Sequence, residues 1–539
     1  MKANRMPDGA IAFVLFALAA AVVLRWLWSG VFLSEFHSDT TDTLLWAAAS
    51  RDAGAIASPT FRYAYFIPFG GNCFLIPFLA LFGTGITALR CGMTMFFAVF
   101  VFAAYALFRS LKWSRSVRWF SVALLLTVAS ATPKMREIYF GHILYYSLGT
   151  LFFFLGLAFA PNPCGAEADT RQRKVVRGTI FAIVMAWAAS CGMPLLLYAV
   201  IPVLGGWILV RSAEQRPFSK ACDGTAFLPG ALGAGAGLAL YFVLSLGLLP
   251  VDYADSYECF SFPSRWWLNL AGLPGQWILL FCPSAWDRVP IVSGAGFPTA
   301  GQIAMALLLA AAPVFSLLRI RTFSPREKIL VAGHWILAAE VLFFWTFGSI
   351  SNANWRLSPL VLSSAAITAC LLRRLFSDGT VFLRRAAAAS SLFLFAVCFL
   401  THLQTSFLPC DWHVWRGRGT LVPLLESIGV RDGYCTDFWF SNVVTVLSGD
   451  HCRIREVVRR NGSWQGRRYN TDDRWFEPDP ERTRTVFVCL PDEEPLAPSG
   501  FAERFECEQF DVRNERYTKL VVRVYDGDCL DPSSTESVQ

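Results

Sequence analysis

The chain has 539 residues, of which 55% are hydrophobic and 16% charged, with a mean hydropathy of +0.44. That much apolar surface exceeds what a soluble chain of this length carries, so the composition excludes an ordinary soluble protein and indicates a polytopic membrane protein. The net charge of +7 is unequally divided, +13 over residues 1–403 and −6 over residues 404–539. The positive excess belongs to basic loops beside anionic headgroups, which argues against a nucleic-acid partner.

Crossing the hydrocarbon layer takes about 20 apolar residues, fewer inside a bundle. Eleven runs qualify, near 10–33, 86–108, 119–133, 138–160, 178–192, 194–210, 225–249, 300–318, 329–349, 356–372 and 386–403. The first follows Lys2 and Arg5 as a signal sequence would, but it continues through Arg25-Trp26-Leu27-Trp28 and reads as an uncleaved helix. With the N-terminus in the cytoplasm, 21 Lys and Arg fall into cytoplasmic groups, among them Arg211/Arg216/Lys220. The longer opposite loops hold seven: Arg51, Arg62, Lys134, Arg136, Arg265, Arg288 and Arg356. The positive-inside rule selects this orientation in the plasma membrane, with residues 404–539 extracytoplasmic. The expected organisation is a membrane domain over 1–403, with outer loops 34–85 and 250–299, and a small outer domain over 404–539.

The first outer loop opens with Ser34-Glu35-Phe36-His37-Ser38-Asp39-Thr40-Thr41-Asp42-Thr43, two aspartates where a membrane helix surfaces. Three readings are open. Ser38, Asp39 or Thr41 caps a helix starting near Asp42; a carboxylate takes a proton from a substrate hydroxyl as a general base; or Asp39 and Asp42 supply part of the oxygen shell of a divalent metal. His37 could join either site. Leu44 to Ala49 reads as helix and Phe61 to Asn72 as an aromatic, Pro- and Gly-broken loop in the headgroup layer. The run Cys73 to Phe82, with Pro77 inside it, is too short to span and reads as re-entrant or interfacial.

Further on, Thr132-Pro133-Lys134-Met135-Arg136-Glu137 forms an outer turn, followed by His142, Tyr145 and Tyr146 at the start of the 138–160 span. Lys134, Arg136, Glu137 and His142 next to an aqueous mouth suit a phosphate or pyrophosphate headgroup, or anchor the helix at the interface. The long outer loop carries Asp252-Tyr253-Ala254-Asp255-Ser256-Tyr257-Glu258, acids and rings that suit carbohydrate contact or a membrane-surface belt. His334 and Glu340 are intramembrane ionisable groups, here read as structural. The turn Asn354-Trp355-Arg356 places an arginine with no neighbouring acid at an outer helix end, where its planar fork can hold phosphate.

Residues 404–539 read as a small α/β domain, with a helix over 421–428 and strands over 443–447, 453–458, 485–490 and 519–525. Asn461-Gly462-Ser463 is taken as a turn. Cys410, Cys435, Cys452, Cys489, Cys507 and Cys529 allow up to three disulfides or a set of buried thiols, and none has metal-site spacing. No Walker, GxSxG or HExxH motif is present, which leaves nucleotide-driven transport unsupported.

The acidic first outer loop, interfacial helices, short helix pairs, late outer arginine and C-terminal domain together resemble the GT-C glycosyltransferase superfamily. The likeness is carried by Asp39 and Asp42, Pro68-Phe69-Gly70, Leu81-Phe82-Gly83 and Asn354-Trp355-Arg356. In the C-terminal domain, Gly433-Tyr434-Cys435-Thr436-Asp437-Phe438-Trp439-Phe440-Ser441-Asn442 with Leu447-Ser448-Gly449 resembles the exported tails of uncharacterised bacterial GT-C-like proteins. The resemblance implies a polytopic helical membrane protein of about 11 transmembrane helices that transfers sugar from a polyprenyl phosphate to an extracytoplasmic glycan, lipid or protein. Asp39 would be the family acid, as base or as ligand to magnesium or manganese, and Asp42 its helper. The Arg-Tyr pair of relatives stands here as Arg356-Leu357. The competing readings are a lipid or polysaccharide transporter, for which the chain lacks a clear internal repeat, and a non-catalytic membrane scaffold.

Overall fold

A computed structural model describes residues 9–163, 170–214, 224–251, 259–283, 287–378, 380–406, 419–477, 479, 482–511 and 516–530. Lys2, Arg5, Arg216, Lys220, the segment 252–258 and Cys410 lie outside them. The chain divides into two compact units, one of Met1–Arg25, Phe96–Val243 and Asp255–Leu408, the other of Trp26–Met95, Leu244–Ala254 and Pro409–Gln539.

The first unit is helical. Among the described residues, eight helices of the chain are long and apolar enough to cross a membrane, from Gly9–Trp28 to Val381–Thr401, and a ninth forms if the bent pair Pro133–Gly141 and Tyr145–Phe159 counts as one span. The other two expected spans are also helices. Arg115–Ala129 has only 15 residues, and Arg171–Ser190 begins with the basic group Arg171, Arg173, Lys174 and Arg177. Two readings need correction. The run 138–160 is not one helix: Glu137–Gly141 is a π turn, His142 is extended, and regular helix resumes at Tyr145 after a 68° bend. The loop 250–299 contains a 19-residue helix, Pro263–Phe281, started by Pro263 at its first turn.

The second unit joins the first outer loop to the C-terminal domain. Six strands, β2 (Asp432–Cys435), β3 (Arg453–Arg460), β4 (Ser463–Gly466), β6 (Arg484–Cys489), β7 (Glu503–Asp511) and β8 (Arg516–Asp526), form a sheet in the order β4-β3-β2-β6-β8-β7. β2 pairs in parallel with β3 and β6, and the other pairs are antiparallel. Alternation sorts the side chains. Val486, Val488, Leu520, Val522 and Val524 face a core with the Leu421–Ile428 helix, while Phe487, Cys489, Val521 and Tyr525 fill the opposite face.

The expected strand 443–447 is instead part of the helix Phe438–Leu447, although Val443, Val444, Thr445 and Val446 are β-branched. The parallel neighbours β2 and β3 require a crossover. Asp437 starts that crossover as a helix by accepting the Trp439 N–H at 2.8 Å. The Asn461-Gly462 turn joins β3 to β4 as read, with φ of 50° and 87°. Cys435, Cys452, Cys489, Cys507 and Cys529 are free thiols, four of them buried, so the buried-thiol reading holds for them.

Two residues of the first outer loop, β1 (Phe61–Arg62), pair antiparallel with β5 (Thr471–Asp472) of the C-terminal domain. The run 73–82 lies in a 12-residue helix, Gly71–Phe82, that is too short to span.

Candidate functional site

The two aspartates occupy one helix, Ser38–Ala53, which begins earlier than a cap at Asp42 would require. His37 is the cap residue. Its backbone N–H donates to Thr40 Oγ1 at 3.1 Å, and Thr41 Oγ1 donates to the Ser38 carbonyl at 2.6 Å. Asp39 thus falls in the first turn, where the helix dipole favours a carboxylate. Asp42 lies one turn further in.

Their environments differ sharply. The Asp39 side chain is 40% exposed, with Oδ2 3.9 Å from His37 Nδ1. The His37 ring packs 5.4 Å from that of Trp439, and Ser38 Oγ donates to the Phe438 carbonyl. Asp42 is only 3% exposed, and its Oδ1 has no hydrogen-bond partner. Burial first, and then the neighbouring Asp39 charge, raise the Asp42 carboxyl well above the usual carboxylate range, while the Asn470 amide pulls it partly back. One accessible carboxylate beside a buried one whose pKa is raised is a contrast that sequence spacing could not reveal.

Asn470 was not visible as a site residue in the sequence. It is fully buried with φ at 50°, and its Oδ1 accepts from both Trp46 Nε1 and the Ala64 N–H, each at 3.0 Å. Asparagine tolerates this left-handed backbone better than most residues. Nearby, Arg62 grips Asp473 through Nε at 2.9 and 3.0 Å and through a second nitrogen, and donates to the Pro250 carbonyl at 2.7 Å. Thr60 Oγ1 donates to Asp472 at 3.1 Å, and the Asp473 N–H donates to the Thr60 carbonyl at 3.0 Å. The acid-bearing loop is therefore tied to residues more than 400 positions away.

Among the described residues, no three His, Cys, Asp or Glu side chains are grouped to hold a metal ion. A magnesium or manganese ion at Asp39 and Asp42 would have two carboxylates to rely on, and its charge would offset the burial and the Asp39 charge that raise the Asp42 carboxyl. Magnesium is commonly held by one or two carboxylates together with substrate phosphate and water, so Asp39 and Asp42 are the residues that would hold it.

The other expected residues belong to the first unit. Lys134 Nζ pairs with Glu137 at 2.7 Å and stands 4.6 Å from the centre of the Trp355 ring. His142 Nε2 is 3.6 Å from the same carboxylate. Arg136 is fully buried and donates to the Ser130 carbonyl at 3.4 Å, placing its guanidinium in the protein interior. Arg356 is 6% exposed on the short turn Asn354–Leu357, within electrostatic reach of Tyr145 and Tyr198. The rings of Tyr145, Tyr146 and Tyr198 cluster at 4.2 to 6.2 Å, and Glu340 acts electrostatically on Tyr198. His334 hydrogen-bonds Ser363 at 2.8 Å, in keeping with a structural role.

Apolar spans, an acid-bearing first loop and a C-terminal α/β domain define a polytopic membrane protein with a GT-C-like fold. The chain is similar over 98% of its length to the whole of a crystal structure of ArnT from Cupriavidus metallidurans bound to undecaprenyl phosphate, with a TM-score of 0.54 and 14% identity. The apo ArnT structure of the same organism aligns with a TM-score of 0.49 and 14% identity, over 95% of this chain and 97% of that one. No protein-family model matches the sequence, and no curated protein does. At 14% identity the likeness is one of fold.

Proposed function

We propose that the chain transfers a sugar from a polyprenyl-phosphate donor to an extracytoplasmic glycan, lipid or protein acceptor. The observation that carries this reading is the partly exposed Asp39 in the first turn of the Ser38–Ala53 helix, beside the buried Asp42. The match over 98% of the chain to a structure bound to undecaprenyl phosphate supports the donor class.

In the proposed reaction the acceptor hydroxyl attacks the anomeric carbon in line. The new C–O bond forms, the bond to the phosphate oxygen breaks, polyprenyl phosphate leaves with the electron pair, and Asp39 receives the hydroxyl proton. Asp42, holding its own proton, keeps negative charge from accumulating beside Asp39 and leaves that carboxylate as the base. Arg356, enclosed by tyrosines, is the phosphate ligand, since a guanidinium in a desolvated setting binds phosphate oxygens strongly. Lys134 is engaged with Glu137 and Trp355, and can turn to the donor by giving up one of them. Arg136, enclosed and bonded to Ser130, holds its own turn in place. The positive-inside count supports an acid loop and C-terminal domain outside the cytoplasm.

The test is sugar transfer by purified protein from a panel of synthetic polyprenyl-phosphate sugars. Asp39→Asn should lower turnover by about 10²–10⁴-fold, the usual worth of a general base, with the fold intact, and loss of wild-type transfer on adding a chelator would make Asp39 a metal ligand instead. Full activity of Asp39→Asn would refute the base assignment. Absence of transfer across a broad panel would refute the enzyme reading.

A further inference from the structure

The C-terminal domain contains a cavity of about 270 Å³, away from Asp39 and lined by Arg431, Arg453, Arg455, Arg482 and Trp475 together with Asp432 and Asp479. Arg455 is the unusual member. It is 5% exposed on β3 and has no carboxylate within ion-pair distance among the described residues. One nitrogen, Nη1, donates to Thr445 Oγ1 at 3.0 Å and to the Ile454 carbonyl at 3.1 Å, and Nε has no partner. Its guanidinium lies 3.6 Å from the centre of the Trp475 ring.

Asp450 and Asp432 act on Arg455 electrostatically without pairing with it, and a buried cation left without a direct ion pair is costly and marks a place where an anion can be received. Burial lowers the Arg455 pKa to about 9, which leaves it charged near neutrality. The neighbouring arginines are differently engaged. Arg453 is locked to Asp450 at 2.7 and 3.0 Å. Arg482 donates to the Glu477 carbonyl at 3.0 Å and to Asp528 at 3.4 Å, and its Nε makes no hydrogen bond but lies 3.9 Å from Asp479 Oδ2 across the lining. Arg431 is exposed at the rim. Four guanidinium groups against two carboxylates leave the lining net positive.

The two carboxylates decide what kind of anion fits. They would repel a bare ion, but they accept hydrogen bonds from hydroxyl groups carried on the same molecule. We propose that this cavity binds a saccharide of the acceptor through an anionic group, a phosphate or a carboxylate, held by Arg455 with Arg482 and Arg431. The assignment rests on the transferase reading and names the chemistry of its acceptor. It also gives the acceptor a route to the acid loop. Trp475 packs edge-on against Phe61 with ring centres 6.0 Å apart, and the adjacent Asp472 and Asp473 hold Thr60 and Arg62 of that loop.

Equilibrium dialysis of the full-length protein in detergent with labelled glucose 6-phosphate, glucuronate, glucose and inorganic phosphate tests the proposal without any donor or turnover. Saturable binding of an anionic sugar is expected, weakened about 10-fold or more by Arg455→Gln, the scale of one charge-assisted contact, and weakened to a lesser extent by Arg431→Gln, with glucose not retained. Arg431→Gln changes an exposed side chain, so it reports even if Arg455→Gln fails to fold. Preference for glucose 6-phosphate identifies a phosphate acceptor and preference for glucuronate a carboxylate one. The proposal is overturned if the folded wild type binds neither anionic sugar, if Arg431→Gln and any folded Arg455→Gln bind as wild type does, or if inorganic phosphate binds as tightly as the sugars. Binding should persist in Asp39→Asn, so loss of the transferase reading and loss of this site give different results.

Discussion

Replacing Asn470 tests how the C-terminal domain holds the acid-bearing loop. Its Oδ1 is the acceptor for both Trp46 Nε1 and the Ala64 N–H at 3.0 Å, and Trp46 is only 2% exposed. Asn470→Gly orphans both donors. The buried indole should cost about 1–3 kcal/mol and the half-buried amide about 1 kcal/mol, or about 2–4 kcal/mol together. Asn470→Ala loses the same bonds and must also hold φ at 50°, which adds about 1–2 kcal/mol for a residue with a Cβ. Asn470→Asp keeps an acceptor oxygen but sets a third carboxylate beside Asp42 and Asp39, so its penalty should grow with pH. The assay is thermal unfolding in detergent read by a thiol-reactive dye, since the cysteines at 435, 452, 489 and 507 are buried and free. Sugar transfer is measured in parallel. The expected order of stability near neutral pH is wild type, then Gly, then Ala, with turnover falling more than donor affinity. A glycine variant as stable and active as wild type would refute the view that Asn470 fixes the acid-bearing helix, and an alanine variant more stable than glycine would refute the backbone argument.

Asp42→Asn should leave the fold intact and stabilise it at neutral pH. A carboxyl raised above its unfolded pKa costs stability as pH climbs from the unfolded toward the folded value, and the amide removes that cost; a wild-type melting temperature independent of pH over that window would contradict the assignment. Glu456 behaves similarly. Burial raises it to about 7 despite its 2.7 Å pair with Arg467, so stability should fall as pH rises from about 4.5 to about 7, by on the order of 3 kcal/mol. Glu456→Gln should flatten that slope in a pH series of melting curves, and an unchanged slope would rule the group out. Arg356→Ala should raise the KM for a polyprenyl-phosphate donor by about 10-fold or more, with Arg356→Lys restoring part of it, because a point charge replaces some of the fork; unchanged donor kinetics in both would remove Arg356 from the phosphate site.

Much of the architecture is legible in the sequence because it follows from local properties. Apolar run length located the helices. The helix over 421–428, the strands at 453, 485 and 519 and the Asn461-Gly462 turn follow from periodicity and turn chemistry. Local preference failed where tertiary structure overrode it. The valines at 443, 444 and 446 favour a strand, yet the crossover between β2 and β3 makes them helical. The span at 138–160 lost its continuity where the chain takes a π turn before Gly141 and an extended conformation at His142.

By itself the sequence determined that Asp39 and Asp42 lie near one another at the end of an apolar helix and that Arg356 stands without a local acid. Only the tertiary structure decided that Asp39 remains accessible while Asp42 is buried, that Asn470 and Arg62 tie the acid loop to the C-terminal domain, and that Arg455 lines a cavity without a direct ion pair among the described residues. The reason is physical: hydropathy and spacing act between neighbours in the chain, whereas desolvation and charge pairing depend on groups that folding brings together across more than 400 residues.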